Sequence, residues 1–108
     1  TTVYIHYAGY LEDGSLFDSS YEVVAKEYGK FDENRAKANG YQPFPFQYGN
    51  KNGLIPGFIE ALSFMNYGDK VIAFIPSKLG YGERGAGNVI PPNSNITFEI
   101  EMIEAPAK

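Results

Sequence analysis

The end of the chain alternates apolar and polar residues with a period of two, the pattern of a β-strand with one buried and one wet face. Within 95–104, Ile96, Phe98, Ile100 and Met102 would point to one side, and Thr97, Glu99 and Glu101 to the other. The same alternation at 2–11 predicts a strand with Val3, Ile5 and Tyr7 on one face. Strands with one wet face are typical of antiparallel sheets. A chain of 108 residues is long enough for one compact domain built on such a sheet.

Shorter elements are predicted between these two strands. Asp13-Gly14 is a hairpin turn signal. Residues 44–48 alternate again, although Pro43 and Pro45 restrict that strand to a sheet edge or a bulge. An apolar strand is expected at 70–76. The four glycines and two prolines of 79–92 predict a loop.

One helix is predicted at 56–65. Pro56 suits its first position, and Phe58, Leu62 and Met65 form one apolar stripe that Gly68 would end. These elements predict an α+β fold, in which a mostly antiparallel sheet is covered on one face by a single short helix.

The segment 21–42 differs from the rest, because it is polar and has too few apolar residues for a core of its own. Within it, Asp32 is a good cap for a short helix through Ala38, which Asn39-Gly40 would end. We interpret 21–42 as a long insertion after the first hairpin, with one or two helical turns.

Composition excludes several classes of function. The net charge of -4, with acidic residues spread along the chain, argues against nucleic acid or an anionic membrane surface as a partner. The absence of Cys excludes disulfides, thiolate metal sites and a Cys nucleophile. No apolar run is long enough for a membrane span. We expect a soluble, monomeric domain, in the cytoplasm or a bacterial periplasm; the compartment stays open.

A dinucleotide-binding motif and a catalytic histidine are both rejected because of the residues around them. Residues 80–85 satisfy G-x-G-x-x-G, but Gly87, Pro91 and Pro92 prevent the helix that a dinucleotide site needs. His6 is the only histidine and lies in a strand, so it is interpreted as a structural residue rather than part of a triad. Neither His spacing nor a calcium loop predicts a metal site.

Aromatic residues are unusually frequent, with nine Tyr and eight Phe but no Trp. Several come from strand ends, loops and the helix start, where they could fill the core or line a pocket. Tyr81 favours a pocket, because a Tyr between Gly80 and Gly82 has little to pack against unless it closes over something.

Six motifs that together cover nearly all of the chain outside 21–42 occur in order: VYIHYAG (3–9), LEDGSLFDSS (11–20), PFPFQYG (43–49), LIPGFIEAL (54–62), IPSKLGYGERGAGNVIPPN (75–93) and TFEIEM (97–102). With these motifs the chain resembles the FKBP-type peptidyl-prolyl isomerases, the immunophilins that bind tacrolimus and rapamycin. The glycine-rich loop motif with YG and IPP is highly specific.

This resemblance implies a twisted antiparallel sheet around one short helix, and a cofactor-free, non-covalent isomerase that turns X-Pro bonds in proline-containing polypeptides and assists folding. By resemblance the catalytic residues are Tyr7, Phe17, Asp18, Phe58, Tyr81 and Phe98, and the substrate-binding residues are Phe44, Leu54, Ile55, Val89 and Ile90. Tyr81 would hydrogen-bond the ligand, and the Ile55 N–H would donate to the bound carbonyl. Tacrolimus and rapamycin are the implied inhibitors.

The chain departs from the family pattern at three places. Phe58 stands where the family usually has a Trp at the pocket floor, which leaves the floor apolar but smaller. The 21–42 segment is longer than in minimal members. The N-terminal residues that usually supply an additional strand are lacking, so we expect a single domain, 1–108, excised from a longer chain. Two alternatives stay open: a non-catalytic binding module that uses the same pocket, and a chaperone that grips unfolded chains through the insertion.

Overall fold

The computed structural model describes residues 2–47, 54–87 and 89–104. In chain order its elements are β1 (Thr2–Tyr10), β2 (Leu16–Ser19), α1 (Glu22–Glu27), α2 (Glu33–Lys37), β3 (Phe44–Gln47), α3 (Pro56–Ser63), β4 (Lys70–Ile75) and β5 (Ile96–Ile103). Two short 3₁₀ turns, Ser77–Leu79 and Gly82–Arg84, lie between β4 and β5. Of the predicted motifs, Tyr48, Gly49 and Asn88 lie outside the described residues.

The five strands form one antiparallel sheet with β1 and β5 at its centre. These two strands pair from Tyr4 opposite Ile103 to Tyr10 opposite Thr97. The other side of β1 pairs with β3 along its first half and with β2 along its second half. The predicted antiparallel sheet is confirmed. Among the described strands β3 pairs with β1 only, an edge position that fits Pro45.

The core lies on one face of this sheet, beneath α3. The apolar side of β5 is buried along its whole length, which confirms the alternation of its sequence. Phe58 and Leu62 of α3 are buried against it. On β4 the apolar run does not mean burial on both faces: Phe74 is 80% exposed, because β4 lies at the sheet edge and alternate side chains point to solvent.

The main helix is shorter than predicted. It ends at Ser63 rather than Met65, because the Phe64 and Met65 N–H groups close 3₁₀-type turns onto the Ala61 and Leu62 carbonyls. Met65 is still buried in the core. None of the helices in the described residues is long and apolar enough to cross a membrane.

The 21–42 segment contains two short helices, α1 and α2. The predicted cap of α2 is confirmed: the Asp32 carboxylate accepts from the Asn34 and Arg35 N–H groups at 2.9 and 3.2 Å. Asn39, with φ of 59°, follows the helix end in the left-handed conformation. The described residues therefore contain three α-helices, and among these α3 is the one that covers the core. That 21–42 is an insertion relative to the family stays a prediction.

Candidate active site

A cavity of about 670 Å³ opens between the β1–β2 hairpin, the start of α3 and the loop after β4. This volume is in the usual range for a small-ligand site. Nine of the eleven predicted site residues line it: Tyr7, Phe17, Asp18, Phe44, Leu54, Ile55, Phe58, Tyr81 and Phe98. We call it the main cavity. The structure brings these side chains together, and the role of each stays a prediction.

The walls of the main cavity are aromatic rings packed edge to face. Phe98 meets Phe58 at 5.0 Å between ring centroids and Phe17 at 5.4 Å, at angles of 86° and 82°. Tyr7 contacts Phe44 and Phe98 in the same manner, at 5.8 and 6.1 Å. Each of these rings contacts others near the preferred edge-to-face geometry, so the wall is apolar and closely packed.

Gly9 makes this packing possible, and sequence reasoning did not identify it. A Cβ atom at Gly9 would lie 2.4 Å from Phe17 Cζ and 2.7 Å from Phe98 Cε1. The two rings therefore rest directly on the β1 backbone. The signal in the sequence was an isolated glycine inside a strand pattern, which often marks a close approach of this kind.

One edge of the main cavity is polar. The Tyr7 hydroxyl donates to Asp18 Oδ2 at 2.6 Å, and Asp18 Oδ1 accepts from Arg35 Nη1 at 2.6 Å and from the Ser19 N–H at 2.9 Å. Burial, with the hydrogen bond to Asp18, raises the pKa of Tyr7 to about 12. Tyr7 is therefore a protonated donor at neutral pH, and its proton is directed at Asp18.

Arg35 was missed in the sequence. Its helix, α2, brings the guanidinium over the main cavity, where Nε donates to the Gly40 carbonyl at 3.1 Å and the group lies 4.6 Å from the Tyr41 ring centroid. Arg35 and Asp18 are 17 residues apart, and no local pattern links them. The only signal was Asp18 itself, since a carboxylate at the edge of an apolar pocket is expected to find a cation.

Tyr81 lies on the loop after β4, just before the 3₁₀ turn Gly82–Arg84. Its ring packs edge-on against Phe17 at 6.4 Å. Burial, and then the negative charge of Asp18, raise the pKa of its hydroxyl. Tyr81 is therefore a neutral phenol at the cavity wall, suited to donating a hydrogen bond.

Val89 and Ile90 are not among the residues that line the main cavity. Ile90 is 3% exposed and belongs to the core, where it bridges back to Ala86. Val89 is exposed and lines a neighbouring, smaller cavity. Their substrate-binding roles stay predictions, and for Ile90 the burial leaves little surface for contact.

His6 lies away from the main cavity. Its Nδ1 is 2.8 Å from Ser20 Oγ, and its ring stacks on Tyr21 with centroids 4.3 Å apart. Burial lowers the pKa of His6, and the charge of Glu101 opposes this shift. The interpretation of His6 as a hydrogen-bonded structural residue agrees with this geometry.

A half-covered antiparallel sheet with an aromatic, polar-edged cavity at the start of its helix defines a domain built to enclose a small apolar group. The family model described as FKBP-type peptidyl-prolyl cis-trans isomerase matches residues 1–103. The chain belongs to this family.

Relatives and a solved structure agree with the assignment. The chain is 44% identical over 102 residues to the FKBP-type 22 kDa peptidyl-prolyl cis-trans isomerase of Escherichia coli, covering 94% of this chain and 40% of that protein. It is 36% identical over 100 residues to an FK506-binding protein of Neisseria meningitidis serogroup C, covering 93% of this chain and 75% of that protein. A crystal structure of a peptidyl-prolyl cis-trans isomerase from Pseudomonas syringae superposes with a TM-score of 0.68 at 33% identity, covering 99% of this chain and 62% of that one. This chain thus spans about two fifths of the length of the Escherichia coli relative.

Proposed function

We propose that this domain is a peptidyl-prolyl cis-trans isomerase that binds proline-containing polypeptides in the main cavity and accelerates rotation about the X-Pro bond. The observation that carries the proposal is the apolar cage of edge-to-face rings with one polar edge, Tyr7–Asp18–Arg35, in a chain of this family. Proline is the natural occupant, because its ring is apolar and its cis form costs only about 0.5–1 kcal/mol.

The chemistry needs no covalent step. Rotation has a barrier of about 18–20 kcal/mol, since the planar amide has partial double-bond character. At the twisted transition state that resonance is lost. The twisted amide is therefore less dipolar than the planar ground state and gains less from hydration. Transfer of the amide from water to the aromatic cage therefore disfavours the planar ground state relative to the twisted form. Each tenfold acceleration needs about 1.4 kcal/mol, so several modest effects suffice.

Different residues of the main cavity contact different parts of the substrate. Tyr7, Phe17, Phe44, Phe58 and Phe98 enclose the prolyl ring. Tyr81 and the Ile55 N–H hold the substrate carbonyls on either side of it. Asp18, already an acceptor for Tyr7, Arg35 and the Ser19 N–H, polarises the edge of the site and transfers no proton.

The test is an NMR-exchange or protease-coupled assay on an X-Pro peptide. We expect a rate well above the uncatalysed one, reduced about tenfold or more by Phe58→Ala, because the floor of the cage is removed. Phe74→Ala is the matched control, since Phe74 is exposed and does not line the main cavity. Tyr81→Phe keeps the test valid if Phe58→Ala fails to fold.

Two results would contradict the proposal. A rate equal to the uncatalysed one in the unaltered domain would leave a binding module without activity. Unchanged turnover in both Phe58→Ala and Tyr81→Phe would place the site elsewhere.

Macrolide binding is part of the same proposal. Relatives are named FK506-binding proteins, and the aromatic cage here offers the same kind of apolar surface. We expect tacrolimus to bind and to inhibit turnover competitively. Because Phe58 has less surface than a Trp, we expect weaker binding than in family members with the Trp, which a fluorescence or calorimetric titration measures.

A further inference from the structure

A second cavity, of about 320 Å³, adjoins the main one and has no role in the mechanism above. It lies between the β1–β2 hairpin and the segment that carries α1 and α2, and Val89 contributes from the loop after β4. We call it the hairpin cavity. Its apolar lining is Leu11, Leu16, Phe17, Ala25 and Val89, and the other seven lining residues are polar or charged.

The carboxylates that line the hairpin cavity already have partners. Asp18 accepts from Tyr7, Arg35 and the Ser19 N–H. Asp32 accepts from two backbone N–H groups at the start of α2. Asp18 thus accepts three hydrogen bonds, and Asp32 accepts two through Oδ1.

The donors, in contrast, are in excess. Within residues 2–47, 54–87 and 89–104, no hydrogen bond or ion pair engages the Lys30 ammonium. Arg35 uses Nε and Nη1 and keeps further N–H groups. The Tyr41 hydroxyl accepts from the Asp32 N–H at 2.9 Å and still has its own proton to donate. A group that only accepts and carries negative charge complements these donors, and in a polypeptide substrate that group is the carboxylate of an Asp or Glu side chain.

The hairpin cavity is adjacent to the main one. Phe17, Asp18 and Arg35 line both, so a single layer of side chains separates them. An extended peptide advances about 3.3–3.6 Å per residue, so a residue one or two positions from a proline in the main cavity reaches across that layer.

We propose that the hairpin cavity is a substrate subsite, which accepts the carboxylate of an Asp or Glu within two residues of the proline. Lys30, Arg35 and Tyr41 are its donors, and Lys30 is the residue that determines the charge preference. The inference rests on the proposed isomerase function, because it names the substrate class of the same site. It also gives the 21–42 segment a role, since all three donors come from it.

The test compares pairs of peptides that are otherwise identical and uncharged, one with Glu and one with Gln at the same position. The position is varied over the two residues before the proline and the two residues after it. We expect a Glu peptide to exceed its Gln partner about two- to fivefold in kcat/KM at one or more positions, the range of a solvent-exposed ion pair. Because the chain carries a net charge of -4, general electrostatics would favour Gln, so a Glu preference identifies a local site. The preference should weaken in about 0.5 M salt.

Variants assign the preference to Lys30. Lys30→Ala should bring the Glu-to-Gln ratio to about one, and Lys30→Glu should invert it. Lys37→Glu is the matched control: it makes the same charge change in the same segment, and Lys37 lines neither cavity. With Lys37→Glu the ratio should keep its two- to fivefold value, slightly reduced by the added negative charge.

The outcomes separate this inference from the proposed function. Turnover of the Gln peptides with equal rates for Glu at every position overturns the subsite and leaves the isomerase standing. An equal loss of the preference in Lys30→Glu and Lys37→Glu overturns it too, because a general charge effect would then explain the result. Failure to turn over any peptide removes both proposals.

Discussion

Replacement of Gly9 by Ala tests whether the aromatic wall rests on the β1 backbone. The added methyl group would lie 2.4 Å from Phe17 Cζ and 2.7 Å from Phe98 Cε1. Ordinary contact begins at 3.4 Å, so restoring it would need the Phe17 ring to retreat by about 1.0 Å and the Phe98 ring by about 0.7 Å. Both rings are packed against further aromatic residues, which leaves them little room to move.

Two effects of opposite sign compete at this position. Removing a glycine from a strand stabilises the fold by about 0.5–1 kcal/mol, because the unfolded chain loses conformational freedom. Overpacking a filled site costs about 1–3 kcal/mol. We expect the second effect to win, with Gly9→Ala lowering the free energy of unfolding by up to about 2 kcal/mol.

Activity should fall more than stability, because the displaced rings are walls of the main cavity. A misplacement of about 1 Å can cost up to about 100-fold in rate, so we expect kcat/KM for an X-Pro peptide to fall at least tenfold. Denaturant unfolding and the NMR-exchange assay measure the two quantities on the same sample.

A double variant separates steric crowding from other causes. Phe17→Leu removes the nearest ring atom, so Gly9→Ala should cost less stability in that background, with a coupling of about 0.5–3 kcal/mol. The rescue is partial because Phe98 stays in place. A stabilising Gly9→Ala, or additive costs in the double variant, would refute the argument that these rings pack on the backbone.

Three further predictions concern other parts of the fold. Burial lowers the pKa of His6, so the unfolded state binds its proton more readily than the folded state. Stability should therefore rise with pH from the lowered folded-state pKa up to about 6.5. His6→Gln should flatten that part of the plot of urea midpoint against pH, and an unchanged plot would contradict the prediction. Gly85→Ala should distort the loop after β4 and lower activity, because φ is +64° and a Cβ would lie 2.1 Å from the Ile90 oxygen; loop amide shifts identical to those of the unaltered domain would count against this. Asp32→Ala should destabilise α2 locally by about 0.5–2 kcal/mol, because the helix loses its cap. The measurement is hydrogen exchange, which should become faster in α2 and stay unchanged in the core strands. Equal protection of α2 in the two proteins would show that the cap is dispensable.

Much of the fold was predictable because strands and caps depend on near neighbours in the chain. The alternation of β1 and β5 needs only residues two apart, and the Asp32 cap needs only the next three positions. The end of α3 was less predictable. Gly68 looked like the stop, whereas 3₁₀ turns ended the helix earlier.

For the cavity, reading along the chain identified a set of aromatic side chains, Asp18 and Tyr81, in motifs resembling a known family. Where these side chains meet, and which other residues join them, depends on the folded domain. Arg35 reaches Asp18 from a separate helix, Ile90 is buried in the core, and Gly9 admits two rings onto the backbone.

The physical reason for this division is distance along the chain. Periodicity, turns and caps arise from local sterics and hydrogen bonds, which a few consecutive residues determine. An ion pair across 17 residues, or a ring on a distant backbone, depends on how the whole chain closes on itself. The aromatic residues were therefore visible in the sequence, and the polar edge that completes the cavity became visible only in the folded domain.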